Sequence, residues 1–248
     1  MARAVSLELV APEREGCDAP VYSCTHCDLG PMAFCAGLSR EQFRRFMTVL
    51  GQATIEPNTA VFREGDPAVN LYTITAGAVK LYKLLSDGRR QIVAFLFPGD
   101  FFGLSVNGIY AYTAEAMLPL MVCRFPRRKL DALLDELPML EKKLLGATAQ
   151  ELAAAHDQML LLGRKTAREK LASFLVMLGR RLSIKDRPSQ LLTLPMSRSD
   201  IADFLGLTIE TVSRTLTGLR REGVIALPDA NHVVISQYDL LGQIAEGS

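Results

Sequence analysis

The stretch from Pro138 to Gly163, PMLEKKLLGATAQELAAAHDQMLLLG, constrains this chain more than any other. As a helix it places Leu145, Thr148, Leu152, Ala155, Met159 and Leu162 at spacings of 3, 4, 3, 4 and 3. That is an a/d heptad seam, which keeps one face turned toward a partner helix. The run is short of the three to four heptads that define a coiled coil. Two of its d positions, Thr148 and Ala155, are small or polar, so the seam should bind its copy weakly. The plainer alternative is an amphipathic helix buried in its own domain. A cysteine-bearing, strand-rich segment precedes the helix and a helix-turn-helix pattern follows it. A marginal dimer seam between a sensor and a reader is a place where a switch can act.

The 248 residues suffice for one or two domains with a sizeable core. Hydrophobic content of 49% and charged content of 22% are those of an ordinary soluble protein. A net charge of +1 is neutral on nucleic acid, because a local basic face can hide inside a balanced total. No apolar run approaches the roughly eighteen residues of a membrane helix. Glu8, Glu13 and Glu15 stand where a signal peptide needs an apolar core. The expectation is a cytoplasmic protein with no membrane partner.

In that compartment five cysteines argue against a disulfide framework. Cys17, Cys24, Cys27 and Cys35 are crowded together while Cys123 stands alone, and crowded thiols in a reducing compartment usually mean metal. Cys24, Cys27 and Cys35 form a C-x2-C-x7-C arrangement whose first pair can grip one centre from a single turn. Gly30-Pro31 breaks any helix, so the chain can wrap and bring Cys35 to the same centre. A four-thiolate site needs one more ligand, and Cys123 is the candidate. Iron-sulfur clusters and structural zinc both accept four thiolates, and spacing does not separate them. Reduced cysteines without metal are the third possibility. His26 reads as a loop residue rather than a ligand.

Ser39 to Leu50 reads as a short amphipathic helix with an N-cap serine. From Thr54 to Arg128 the alternating runs LYTITA, VKLYKLL, RQIVAFLF and LMVCRF are punctuated by Gly65-Asp66-Pro67, Asp87-Gly88 and Pro98-Gly99-Asp100. This predicts an antiparallel sandwich or roll with Cys123 in its last strand. Lys165 to Leu182 predicts a second amphipathic helix, and Arg187-Pro188-Ser189 a loop. Ser197 then caps one helix, Gly206 turns the chain, and Thr208 caps another that buries Val212, Leu216 and Leu219. That is helix-turn-helix geometry, with a hairpin or wing around Pro228-Asp229-Ala230-Asn231.

Three segments make the chain from about Cys24 onward resemble the Crp/Fnr family of bacterial transcription regulators, and within it the oxygen-sensing FNR-type subgroup. They are the cysteine-rich start with Cys123 in a Met-Val-Cys strand, the junction LLLGRKTAREKLASFL, and SRSDIADFLGLTIETVSR. The resemblance implies an α+β chain, with a cyclic-nucleotide-binding-like β-roll, a long dimerisation helix and a C-terminal winged helix-turn-helix. The expected divisions are a cluster-binding segment 1–37, the roll 38–136, the dimer helix 137–164 and the reader 165–248. It implies a [4Fe-4S] cluster on Cys24, Cys27, Cys35 and Cys123 whose loss in oxygen returns dimer to monomer. It also implies an activator that works with RNA polymerase on palindromic double-stranded DNA, with half-sites like TTGAT. Glu210, Ser213 and Arg214, at i, i+3 and i+4, share the face that would enter the major groove. Thr208, Thr211, Ser197 and Arg198, near the starts of the two helices, are further expected DNA contacts.

This chain also departs from the pattern. Some FNR-type proteins place five residues between the second and third cysteines, and here there are seven. Cys17 has no place in the ligand set. Cyclic-nucleotide-binding relatives carry a Glu after the roll's Gly and an Arg-Ser/Thr pair for the phosphate. Here Gly103 is followed by Leu104-Ser105, and Tyr110-Ala111-Tyr112-Thr113-Ala114 offers no Arg, so no cyclic nucleotide is expected. Some FNR-type dimer helices carry an acid where this chain has Ala155. Glu151 and His156 are expected to face each other across the dimer as g and e positions. A regulator of the same family using zinc or cysteine redox is the alternative reading. An enzyme is not expected: His26, His156 and His232 are scattered, and neither a phosphate-cradling Gly loop nor HExxH occurs.

Overall fold

The computed structural model describes residues 29–105, 107–182 and 190–247. A 3-10 turn, Gly30–Met32, opens it, with Gly30 at φ +52 and Pro31 at the start of the turn. Gly30-Pro31 therefore forms a tight turn rather than a simple break. Helix α1 (Arg40–Val49) begins at Ser39, whose hydroxyl accepts from Gln42 N while the Gln42 side chain accepts from Ser39 N. This reciprocal cap satisfies two amides that the first turn leaves open.

Eight strands follow: β1 (Gly51–Ile55), β2 (Ala60–Phe62), β3 (Asn70–Ala76), β4 (Val79–Leu84), β5 (Arg90–Leu96), β6 (Phe101–Phe102), β7 (Thr113–Ala116) and β8 (Leu120–Pro126). They form two antiparallel sheets, ordered β1-β8-β3-β6 and β2-β7-β4-β5. Ile74, Val79, Leu81, Phe102, Leu120 and Val122 fill the space between them. Gly77, at φ +91, makes the turn from β3 to β4 under Pro119. A Cβ there would sit 2.5 Å from the Pro119 carbonyl oxygen, so no other residue fits.

Residues 127–136, which carry no strong sequence signal, form α2 (Arg127–Glu136) and bury Leu130 and Leu133. Pro138, at the first helical position where its missing N–H costs nothing, starts α3 (Pro138–Arg164). Phe34, Phe46, Leu71 and Phe125 pack with α2 and with Leu137 and Leu140 at the root of α3. Beyond that root α3 protrudes: Leu145 is 70% exposed, Leu152 58% and Met159 62%.

Thr166 and Glu169 form another reciprocal cap at the start of α4 (Ala167–Arg181). The reader continues with β9 (Leu191–Thr193), α5 (Arg198–Leu205), α6 (Ile209–Arg221), β10 (Ile225–Ala226), β11 (His232–Ile235) and α7 (Tyr238–Glu246). Strands β10, β11 and β9 make one antiparallel sheet, the wing. The expected loop at Arg187-Pro188-Ser189 lies outside the described residues. Gly206, at φ +61, ends α5 and closes against Leu162 of α3. Among the described residues no helix is long and apolar enough to cross a membrane.

Roll and reader share a core. Tyr82, Ile92 and Phe95 on the outer face of β4 and β5 pack with Phe174 and Phe204, and the Phe95 and Phe204 rings lie 5.0 Å apart. This explains why β4 is buried on both faces through Val79, Lys80, Leu81 and Tyr82.

Candidate functional site

Cys123 sits in mid-β8, opposite Gln52 of β1 and Thr73 of β3. Cys35 follows the 3-10 turn. The two are far apart in sequence, yet both line one cavity whose other walls include Leu29, Phe34, Phe46, Leu50 and Phe125. Cys24 and Cys27, with Cys17 and His26, lie outside the described residues. Among the described residues no group of three or more His, Cys, Asp or Glu side chains could hold a metal ion, so any full ligand set must draw on that segment.

Two polar groups, one in this cavity and one on the turn beside it, gave no signal in the sequence. Thr73 lines the cavity and is 2% exposed, and its hydroxyl has no hydrogen-bond partner among the described residues. Lys143 of α3 reaches the cysteine-bearing turn, its ammonium donating to the carbonyls of Ala33 (3.2 Å), Phe34 (3.3 Å) and Ala36 (2.6 Å). Burial lowers its pKa, and the neighbouring Cys35 opposes that shift.

In the reader, the Ser197 hydroxyl accepts from Asp200 N at 3.0 Å and donates to its carboxylate at 2.8 Å, so it is engaged in capping α5. Arg198 donates to the wing carbonyl of Ala230 at 3.3 Å. Thr208 caps α6 by accepting from Thr211 N at 3.2 Å. Glu210, Ser213 and Arg214 are exposed on one face of α6, while Val212, Leu216 and Leu219 are buried on the other. Hydrogen bonds from its own backbone amide and from Thr208 hold the Glu210 carboxyl below its ordinary pKa, keeping it anionic.

The roll interior is filled by aromatic rings. Phe62 stacks on Tyr110 with centroids 3.6 Å apart, and Tyr72 stacks on Phe102 at 5.1 Å. The Tyr110 hydroxyl donates to Asn70 O at 2.9 Å. Gly103, at φ +91, packs tightly against Asn70 O and Tyr72, where a Cβ would lie 3.0 and 3.2 Å away.

On α3, Leu145, Thr148, Leu152, Ala155 and Met159 are all exposed, whereas Leu162 is half-buried against the reader. Glu151 lies near Tyr112 and Asp100 of its own roll. Desolvation and then Asp100 raise its pKa, and its charge helps push Tyr112 up to about 12, chiefly through burial of that ring.

An ionic joint links roll to reader. Lys80 bridges Glu115 at 3.0 Å and Asp200 at 3.1 Å, while Arg90 holds Asp200 at 2.7 Å and Asp203 at 2.8 Å. Lys80 thus points out of the roll and into the reader.

Residues 52–136 match the cyclic nucleotide-binding domain family, and residues 169–244 match the Crp-like helix-turn-helix domain family. The nitrogen fixation regulation protein FixK of Bradyrhizobium diazoefficiens is 41% identical over 83% of this chain and 87% of its own length. The transcriptional activator protein FnrL of Cereibacter sphaeroides is 36% identical over 88% of this chain and 90% of its own. The structure of FixK2 from Bradyrhizobium japonicum superposes with a TM-score of 0.74 at 41% identity, over 79% of this chain and 97% of that one. These relatives are DNA-binding transcription factors, and this chain is a regulator of that kind rather than an enzyme. With its β-roll, long helix and winged helix-turn-helix, the chain belongs to the Crp/Fnr family of transcription regulators.

Proposed function

We propose that this regulator is oxygen-responsive, holding a [4Fe-4S] cluster on Cys24, Cys27, Cys35 and Cys123. It dimerises along α3 and binds a palindrome of TTGAT-type half-sites to control anaerobic or microaerobic genes. The observation that carries the reading is the convergence of Cys35 and Cys123 on one apolar cavity. The donor chemistry suits the cluster: thiolates would ligate its irons, apolar walls would keep water out, and the unpartnered Thr73 hydroxyl would offer a donor. When bound, the cluster supplies the reactivity toward oxygen. Cys35 and Cys123 would hold it from the N-terminal turn and from the sheet, so its loss would release the turn from the sheet.

The exposed seam of α3 supports a second copy of this chain as the partner. Glu210, Ser213 and Arg214 of α6 read bases, since a carboxylate accepts from cytosine and an arginine bridges guanine O6 and N7. Thr208, Thr211, Ser197 and Arg198 position the helices against phosphates. RNA polymerase is the further partner of an activator. The aromatic filling of the roll, with no arginine from Tyr110 to Ala114, supports a sensor that takes no cyclic nucleotide. The divisions 1–37, 38–136, 137–164 and 165–248 then correspond to cluster segment, sensor, dimer helix and reader.

The test is an ultraviolet-visible spectrum of anaerobically purified protein, with iron and sulfide assays. Absorbance in the violet that bleaches in air supports the cluster. A colourless protein holding zinc supports the zinc alternative.

A further inference from the structure

Helix α3 is fixed at its root and exposed along its middle. Leu140 is fully buried with Phe34 and Leu137, while Leu145 is 70% exposed. Lys143 lies between them. Its ammonium collects three carbonyls, those of Ala33, Phe34 and Ala36, from a stretch of four residues. These use all three donors of the ammonium group. The carbonyls flank Cys35 on both sides. Close by, Gly37 at φ +80 brings the backbone against Met139 of α3, whose Sδ would lie 3.7 Å from a Cβ there. Apolar contacts alone let a turn slide over a helix, whereas charge-assisted hydrogen bonds from one ammonium to three carbonyls hold it in register.

We propose that Lys143 is the positioning residue that couples the cysteine site to the dimer seam. Any change in the path of residues 33–36 as Cys35 is ligated or released moves the carbonyls that Lys143 grips. Lys143 passes that movement to α3 two residues before Leu145. This rests on the cluster reading above and adds the route by which cluster state reaches dimerisation. A merely structural lysine would stabilise both states of the protein equally. A coupling lysine alters the difference between them.

The experiment is sedimentation of the full chain, with cluster under anaerobic conditions and without cluster, for wild type, Lys143→Met and Lys143→Arg. Iron content and thermal melting of each are recorded. In wild type the cluster-bearing form should have the lower dimer dissociation constant. Lys143→Met keeps the alkyl stem and loses the donors. It should bind iron as wild type does, yet its ratio of cluster-free to cluster-bearing dissociation constants should fall about tenfold or more, equal to about 1.4 kcal/mol of coupling per tenfold. Lys143→Arg should restore much of the ratio. Should Lys143→Met fail to fold or take up iron, Lys143→Gln, which keeps an amide donor, is held to the same criterion. A wild-type ratio retained without the ammonium overturns the coupling while leaving the cluster reading intact. A wild-type chain whose dimerisation ignores the cluster overturns both.

Discussion

Lys80 Nζ and Asp200 Oδ1 lie 3.1 Å apart, joining the start of strand β4 of the roll to the first turn of α5 in the reader. Both side chains are under one-tenth exposed. Removing one member of such a buried pair costs about 3–5 kcal/mol, because its partner is left charged and desolvated. Arg90 and Glu115 share the network, so the loss should fall at the low end of that range. Lys80→Met and Asp200→Asn should each destabilise the chain by about 3 kcal/mol in urea unfolding, and the double variant by clearly less than the sum. Strict additivity would contradict the pairing. Burial alone would raise the Asp200 carboxyl, but hydrogen bonds from Ser197 and the Lys80 charge hold it below its ordinary value. A depressed carboxyl contributes stability that is complete above the unfolded pKa of about 3.9 and is lost as pH falls through the folded value. The acid limb of the stability profile should therefore flatten in Asp200→Asn.

Much of this architecture is legible in the sequence, because the signals are local. Ser39, Ser197 and Thr208 announce helix starts through side-chain caps, and Gly206 announces a turn through φ +61. The a/d spacing from Leu145 to Met159 foretells an exposed apolar stripe. What stays illegible depends on packing between distant segments. Helix α2 follows β8 directly with no turn signal but Pro126, and α7 owes its place to packing on α4. Lys80 and Lys143 look like solvated lysines, since each has a decisive partner more than a hundred residues away. Glu151, expected across the dimer from His156, also feels Asp100 and Tyr112 of its own roll, a proximity that only the fold creates. Leu162 turns toward the reader for a similar reason, because Gly206 leaves room against it.

Thr73 offers a prediction with opposite effects in two states. Its buried hydroxyl lacks a partner among the described residues, so the isosteric Thr73→Val should leave the cluster-free protein as stable as wild type or more so, by up to about 1–3 kcal/mol. With a cluster bound, the same change would remove a donor available to its sulfurs, and such hydrogen bonds are among the determinants of cluster potential. The reduction potential should drop and the violet absorbance should decay faster in air. Thr73→Ser should behave as wild type in the decay assay. Equal decay rates for all three would remove Thr73 from the site.

Arg214 stands exposed beside Ser213 on α6, with no role in the core. Arg214→Ala should cost on the order of 1–3 kcal/mol at its own base pair and relax preference there, measured by gel shift over a set of single-base variants. A uniform loss across all sequences would mean it holds phosphate instead. Glu210→Ala should likewise change base preference, and binding with preference unchanged would leave Glu210 a solubilising charge.

The seam itself can be strengthened. Ala155 is exposed, so Ala155→Leu meets no obstacle within its own chain. Each added carbon contributes roughly 0.8 kcal/mol if buried, about 5 kcal/mol at most over two chains. Overpacking takes back roughly 1–3 kcal/mol. The remainder should tighten the dimer by one or more decades, at about 1.4 kcal/mol each. The variant should sediment as a dimer and bind the palindrome in air without a cluster. A monomer silent on DNA would show that α3 is not the dimer seam.

Most direct is a single anaerobic sample of the full chain, followed as air is admitted. Violet absorbance, iron and sulfide content, and retention of a TTGAT palindrome are read at the same times. The account predicts that iron and sulfide are present in equal amounts at the start, and that absorbance and DNA retention fall together. Replacing Cys35 or Cys123 with serine should abolish both from the outset, while Cys17→Ser should change neither. DNA retention that survives complete loss of the absorbance, or a colourless starting protein that already binds DNA, would contradict it.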